Sequence, residues 1–304
     1  MRTLPVIGLP VAVTDYSGAV AWILEKAALR DRPYAVEAAN THVAALARRD
    51  TEFGDSMAKF DLICPDGMPL VWSLNRQLRK EAKKETGFHH EVNEGHEVVD
   101  TEQSIQGGLT APHKLRASAS PRNPLTFDHC PMTAALTTRV YGPTLMLETI
   151  RATNTPESPH RHFLLGGKSS TLEKLTARFA AEFPHSAIAA TYSPPFGPWP
   201  DDEFDRIAEK ITSSQADLVW VGLGCPRQEH WIAKNKHRLP PAVYFGIGAA
   251  FAFHAGEVKQ APASIQKFGL EWAYRLAMEP RRLFKRYLTY NSLFFWYSLQ
   301  GSRR

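Results

Sequence analysis

Short apolar runs alternate with amphipathic stretches along most of the chain. Tyr34–Ala38 runs into Asn40-Thr41-His42 and a helical Val43–Arg49, and Asp61–Cys64 into Pro65-Asp66-Gly67 and a helical Met68–Leu78. His162–Leu165 leads through Gly166-Gly167-Lys168 to a helix over Thr171–Phe183. Asp217–Leu223 leads through Gly224-Cys225-Pro226 to a helix over Arg227–Arg238, and Val243–Ile247 follows the turn Pro240-Pro241. Apolar and β-branched runs of this length, alternating with helices, predict strands buried on both faces. The fold class is α/β: a largely parallel, doubly wound sheet with helices on both faces. Two helix starts carry local signatures, a capping box from Ser170 to Glu173 and Pro226 at a first helical position. Both follow a glycine-containing turn at a strand's carboxyl end, the edge where open α/β sheets bind ligands and where free helix N–H groups favour phosphate.

The rhythm breaks between about residues 80 and 138, where charges cluster, five histidines scatter and Ser118–Pro124 is rich in turn residues. This stretch reads as an inserted loop without regular structure. Its histidine and cysteine spacings match no zinc pattern, so no metal site is expected. After Ala261 the helical pattern returns: Leu270, Ala273, Tyr274 and Ala277 recur at helical spacing, Pro280 closes the segment, and a second helix over Arg281–Tyr290 follows. The expected organisation is a core over residues 1–256 containing the insertion, then a helical appendage over 257–304.

Composition narrows the class. Hydrophobic residues make up 43% and charged residues 22%, a globular balance. Cys64, Cys130 and Cys225 are too few and too far apart for a disulfide framework, which suits a reducing compartment. No apolar run reaches the length of a membrane span, and the first residues do not read as a signal peptide. The net charge of +5 is unevenly spread: from Glu257 to Arg304 nine Lys and Arg face three Glu, so the remainder of the chain is close to neutral. Ten aromatics interleave with these cations between Phe268 and Tyr297, a composition suited to anionic lipid headgroups as well as to a docked terminal helix.

Several residues are candidates for chemistry. Asp66, at a strand end beside a glycine, is placed to act as a general base. Asn40 and Thr41 end the preceding strand, where they can contact a ligand or cap the next helix. Gly166, Gly167 and Gly224 permit close backbone approach, and Gln228 in a first helical turn can hydrogen-bond a sugar or base. Neither glycine segment is GxGxxG or GxxxxGK[ST], which disfavours a dinucleotide dehydrogenase or a P-loop enzyme. Cys225 reads as a small, inert residue at a helix cap. Arg275, Arg281, Arg282 and Lys285 supply cations, and guanidinium groups bind diphosphates bidentately.

Taken together, these blocks resemble the WecG/TagA/CpsF glycosyltransferases. The resemblance rests on Ala39-Asn40-Thr41-His42, Pro65-Asp66-Gly67-Met68-Pro69, Arg139-Val140-Tyr141-Gly142-Pro143, Phe163-Leu164-Leu165-Gly166-Gly167 and Val221 through Glu229. It continues through Gly246-Ile247-Gly248, Gly269-Leu270-Glu271-Trp272 and Glu279-Pro280-Arg281-Arg282, in family order and outside the insertion. It implies a Rossmann-like fold, no cofactor and no metal. It also implies inverting transfer from a UDP-sugar donor to an undecaprenyl-diphosphate-linked sugar acceptor in cell-surface polysaccharide synthesis. Asp66 matches the family's proposed base and Gln228 a substrate-contacting glutamine. Arg275 and Arg282 match arginines of an appendage that closes over the site and meets an anionic membrane surface, with a third basic position near Lys285. The implied location is cytoplasmic, peripheral on the inner face of the membrane, with a homo-oligomer left open. A nucleic-acid partner is not expected, because the basic excess lies beside a ligand-type sheet and no nucleic-acid motif is present.

Overall fold

The structure, a computed structural model, describes residues 1–92, 137–262, 265 and 270–300, with all of their side chains except those of 85–92 and 282. The chain divides into two compact units, Met1–Gln77 with Leu136–Arg304, and Leu78–Ala135. The first unit opens with an antiparallel hairpin, β1 (Thr3–Val6) and β2 (Leu9–Ala12). Its two-residue turn, Ile7-Gly8, has positive φ at both positions, which matches the twist of paired strands. Helix α1 (Tyr16–Leu29) follows, its first turn capped by Asp15, whose Oδ1 accepts from the Gly18 N–H at 2.8 Å.

The remaining elements alternate as the pattern requires. They are β3 (Tyr34–Ala39), α2 (Thr41–Arg49), α3 (Thr51–Met57), β4 (Leu62–Pro65) and α4 (Met68–Val92). After the residues outside the described set come α5 (Gly142–Ala152), β5 (Arg161–Gly166), α6 (Ser169–Glu182), β6 (Ala187–Tyr192) and α7 (Glu203–Ser214). Then follow β7 (Leu218–Gly222), α8 (Arg227–Asn235), β8 (Val243–Gly246) and α9 (Gly248–His254), and finally α10 (Glu271–Met278) and α11 (Pro280–Leu299). Strands β3 to β8 form one parallel sheet in the order β4-β3-β8-β7-β5-β6. The chain moves outward from β3 to β4 and then crosses to the other half of the sheet. This reversal leaves a crevice at the carboxyl ends of the central strands.

Alternate residues of each strand supply two cores. Val36, Cys64, Leu164, Trp220 and Phe245 face α1, α5, α6 and α9, while Ala35, Ile63, Phe163, Val219 and Tyr244 face α2, α3, α7 and α8. Trp220 stacks on Phe245 at 3.9 Å between ring centroids, and fully burying an aromatic of this kind contributes roughly 2–3 kcal/mol. Leu283 and Phe294 bury the inner face of α11, and Tyr290 meets the His42 ring edge-on at 4.4 Å. Phe284, Leu288, Phe295 and Leu299, spaced by four, seven and four residues, form an exposed apolar stripe along the same helix. Among the described residues no helix is long and apolar enough to cross a membrane.

The structure departs from the sequence reading at several points. Helix α4 continues to Val92, so the expected irregular insertion does not begin at residue 80. At its other end Thr137 is already fixed in the first unit: its hydroxyl accepts from the Thr14 N–H at 3.0 Å and its N–H donates to Asn75 at 2.9 Å. The expectations for residues 93–136 lie outside the described residues. Helix α6 begins at Ser169 with Lys168 as its cap, so Ser170 caps nothing; positive φ at Gly166 and Gly167 turns the chain into the helix early. Pro226 is the cap of α8 rather than its first residue, and α11 extends nine residues beyond the expected Tyr290, to Leu299.

Candidate active site

Strand β4 ends at Pro65, and Asp66 is the next residue. Its N–H donates to Ala39 O at 2.9 Å, prolonging the β3–β4 pairing by one residue and fixing the side chain at the sheet edge. Beside it, Asn40 caps α2, its Oδ1 accepting from the His42 and Val43 N–H groups at 3.0 and 3.3 Å. The Asp66 side chain is 13% exposed.

Arg139 is the principal neighbour. Its Nη2 donates to Asp66 Oδ1 at 3.1 Å and to Glu271 Oε2 at 2.7 Å, and its Nε donates to the Asp66 main-chain carbonyl. One guanidinium thus joins the end of β4 to the first residue of α10, while its face lies 4.3 Å from the centre of the Tyr141 ring. Burial raises the Asp66 carboxyl above the usual range, Arg139 opposes, Glu271 adds to the rise and Arg275 opposes it further; the outcome is pushed up to about 6. A carboxylate with that affinity for a proton is a stronger base than an ordinary aspartate and is still ionised at neutral pH.

Asp66 lines two adjoining cavities. The first, about 380 Å³, is polar, with Glu37, Asn40, Gln228, Glu229, Arg275 and Arg286 among its walls. The second, about 370 Å³, is mostly apolar, with Trp72, Leu270, Trp272, Tyr287 and Phe295 among its walls. Asn40, Asp66, Tyr141 and Arg275 belong to both. Phe295 also belongs to the outward stripe of α11, so the apolar cavity is continuous with that stripe. A larger groove of about 920 Å³ lies beside the hairpin turn, but among the described residues Arg48 is the one ionisable side chain on its walls and no acid, base or nucleophile faces it.

The residues singled out from sequence separate into those that reach these cavities and those that do not. Asn40, Asp66, Gly224, Gln228 and Arg275 line the polar one, and Thr41 lines the apolar one with its hydroxyl donating to Asn291 Oδ1 at 2.6 Å. Gln228 does not offer its amide to a ligand. Its Oε1 accepts from Gly224 N–H at 3.1 Å and Gly248 N–H at 3.2 Å, and its Nε2 donates to Gly246 O at 2.7 Å and Glu229 Oε1 at 2.9 Å. All four hydrogen-bonding positions are filled, so Gln228 ties the ends of β7 and β8 together, and the amides expected to meet a phosphate there are partly consumed.

Gly166 and Gly167 line neither cavity. Their positive φ, and the 2.6 Å that a Cβ at Gly166 would leave to Gly222 O, make them turn residues. Lys285 is exposed and lines neither cavity; one residue further round α11, Arg286 reaches the polar one. A helix turns 100° per residue, so adjacent residues cannot share a face. The Arg282 side chain lies outside the described residues. Burial raises the Cys225 thiol, and burial also lowers the neighbouring His42 to about 4, so neither forms a thiolate–imidazolium pair.

Arg139, Glu271, Arg286, Glu37 and Glu229 were not singled out as site residues from sequence. Arg139 stood within a recognisable block, but its partner is 73 residues away. A lone carboxylate inside the wholly buried strand Tyr34–Ala39 was the signal for Glu37.

The fold and site define an α/β protein with a raised carboxylate, Asp66, between a cation-bearing polar cavity and an apolar one, at the carboxyl edge of its sheet. The chain belongs to the glycosyl transferase WecG/TagA/CpsF family, whose profile matches residues 4–90 and 131–304. It is 32% identical over 147 residues to an N-acetylglucosaminyldiphosphoundecaprenol N-acetyl-beta-D-mannosaminyltransferase of Bacillus subtilis, covering 48% of this chain and 55% of that protein. A protein of the same name from Bacillus spizizenii is 37% identical over 122 residues, 40% of this chain and 46% of the relative. The chain thus spans about half the length of these curated relatives.

Proposed function

We propose that the protein transfers a hexosyl group from a UDP-sugar to an undecaprenyl-diphosphate-linked sugar, with inversion at the anomeric carbon and no metal ion, in the assembly of a cell-surface polymer. The observation that carries this reading is Asp66 facing both cavities. The donor occupies the polar cavity and the acceptor sugar enters from the apolar one, its lipid running toward the exposed stripe of α11. The acceptor hydroxyl gives its proton to Asp66 as its oxygen attacks the anomeric carbon, and the bond from that carbon to the β-phosphate oxygen breaks. A single displacement across Asp66 inverts the centre. The charge growing on UDP is met by Arg275 and Arg286, both cations of the polar cavity, with Arg282 on the same appendage. Removing one such contact costs on the order of a hundredfold in rate. Arg139 holds Asp66 in place and is itself held by Glu271, so the appendage helps to order the base.

The acceptor class is supported by the names of the two relatives, both of which act on an undecaprenyl-diphosphate-linked N-acetylglucosamine. A cytoplasmic, peripheral position on the inner membrane face is supported by the aromatic stripe and by the basic excess after Glu257. The test is a panel of UDP-sugars with a short-chain lipid diphosphate–N-acetylglucosamine acceptor, scored by product mass. One donor should add a single hexosyl unit; no product from any donor would refute the assignment.

A further inference from the structure

Two buried carboxyl groups in the polar cavity are unused by the mechanism above. Glu37, in the middle of β3, is 2% exposed; Glu229, in the first turn of α8, is 0% exposed; both line the cavity. Glu229 Oε1 accepts from Gln228, but Oε2 of each carboxyl is buried and has no hydrogen-bond partner among the described residues. Leaving a buried polar oxygen unmade is costly, so such an atom in a cavity wall points to a ligand that completes it. Glu37 Oε2 lies over Gly246, where a Cβ would collide with it.

The same cavity carries cations. Arg275 and Arg286 line it, each with a buried Nε that has no hydrogen-bond partner among the described residues. A diphosphate belongs with these guanidiniums and is repelled by the acids, which fixes the sense in which a nucleotide sugar lies. Glu37 is close enough to feel the Asp66 charge; burial holds both glutamates above the usual range, joined at Glu37 by the charges of Glu229 and Asp66 and opposed at Glu229 by hydrogen bonds from Gln228 and Cys225. The acidic part of the cavity therefore adjoins the base, where the anomeric carbon must stand, and it meets the sugar rather than the uracil.

We propose that Glu37 and Glu229 form the donor-sugar subsite, accept hydrogen bonds from sugar hydroxyl or amide groups, and restrict the donor to neutral hexoses and N-acetylhexosamines, excluding hexuronic acids. This rests on the donor reading given above. A carboxylate at the sugar's C5 brings another negative charge into a buried site already holding Asp66 and this pair, where like charges repel far more strongly than in water.

The test is binding of UDP, UDP-glucose, UDP-N-acetylmannosamine and the two matching uronic acid nucleotides to the full chain, measured by calorimetry at pH 8. Each neutral sugar nucleotide should bind at least about tenfold more tightly than its uronic acid counterpart. Glu37→Gln and Glu229→Gln should narrow that ratio while leaving UDP affinity unchanged. Uronic acid nucleotides binding as tightly as the neutral ones, with UDP still bound, would overturn this proposal alone. So would Gln variants that weaken UDP and UDP-sugars by the same factor. Failure of the unsubstituted chain to bind UDP at all would overturn the donor reading together with it.

Discussion

Replacing Asp66 by Asn separates what this residue does for chemistry from what it does to the fold. The carboxyl rises from 3.8 to about 6 in the folded chain. At about 1.36 kcal/mol per pKa unit, the ionised form is disfavoured in the folded state by roughly 3 kcal/mol. The sign follows from the raised value: the penalty is fully present above about pH 6 and disappears below the unfolded value near 4. Asn carries no charge, and Arg139 keeps both Glu271 and the residue-66 carbonyl as acceptors. Asp66→Asn should therefore be more stable than the unsubstituted protein at pH 8, by about 1–3 kcal/mol, or several degrees in Tm for a domain of this size. The gain should shrink to nothing by about pH 4. Sugar transfer, by contrast, should be lost while UDP-sugar binding persists. Thermal melts at the two pH values, run beside a transfer assay, read both effects. A variant that transfers at the normal rate, or that is less stable at pH 8, would refute the reasoning.

Other substitutions probe other parts of the account. Arg275→Ala should slow transfer on the order of a hundredfold with little change in acceptor binding, since the guanidinium acts on the leaving group; single-turnover rates check it. Gln228→Leu should destabilise the fold by about 1–3 kcal/mol in urea unfolding, because it strands the buried Gly246 carbonyl and takes the acceptor from the partly exposed Gly224 and Gly248 N–H groups. Replacing Phe284, Leu288 and Phe295 together by Ser should reduce co-sedimentation with anionic liposomes while leaving the melting curve close to normal, because the first two are exposed and Phe295 is more than half exposed.

The central strands were legible because they are buried on both faces and so read as unbroken apolar runs; β3, β4, β5, β7 and β8 all fall where those runs lie. The edge strand β6 is half-exposed along Ala187–Tyr192 and carries no such signal, and Pro5, Gly8 and Pro10 disguise the hairpin. Asp66 was legible because the strand end and the following glycine are adjacent in sequence. Its partner Arg139 was not, since nothing local in Thr138–Val140 says which carboxylate the guanidinium will meet across 73 residues. Gln228 misled for a related reason: a glutamine after a glycine turn looks free until the neighbouring strand brings Gly246 and Gly248 onto its amide. Choosing between Lys285 and Arg286 required the rotation of α11 against α2, which composition does not fix.

The bridge that Arg139 makes between two carboxylates modulates an aspartate that burial has already raised. Burial is the largest cause of the raised Asp66 carboxyl, and the ion pair with Arg139 works against it. Glu271 shares the same Nη2 at the shorter distance, 2.7 against 3.1 Å, and its charge pushes Asp66 the other way. On the proposed mechanism the appendage contributes Arg275 toward the departing nucleotide and Glu271, whose charge adds to the rise that burial gives Asp66.

The most direct measurement is the pH dependence of the single-turnover transfer rate with saturating donor and acceptor between pH 4.5 and about 8, where the Asp66 carboxyl titrates. The rate should climb about tenfold per pH unit and level off near pH 6, where Asp66 becomes ionised. A rate that stays flat across that interval would contradict Asp66 as the group that takes the acceptor's proton.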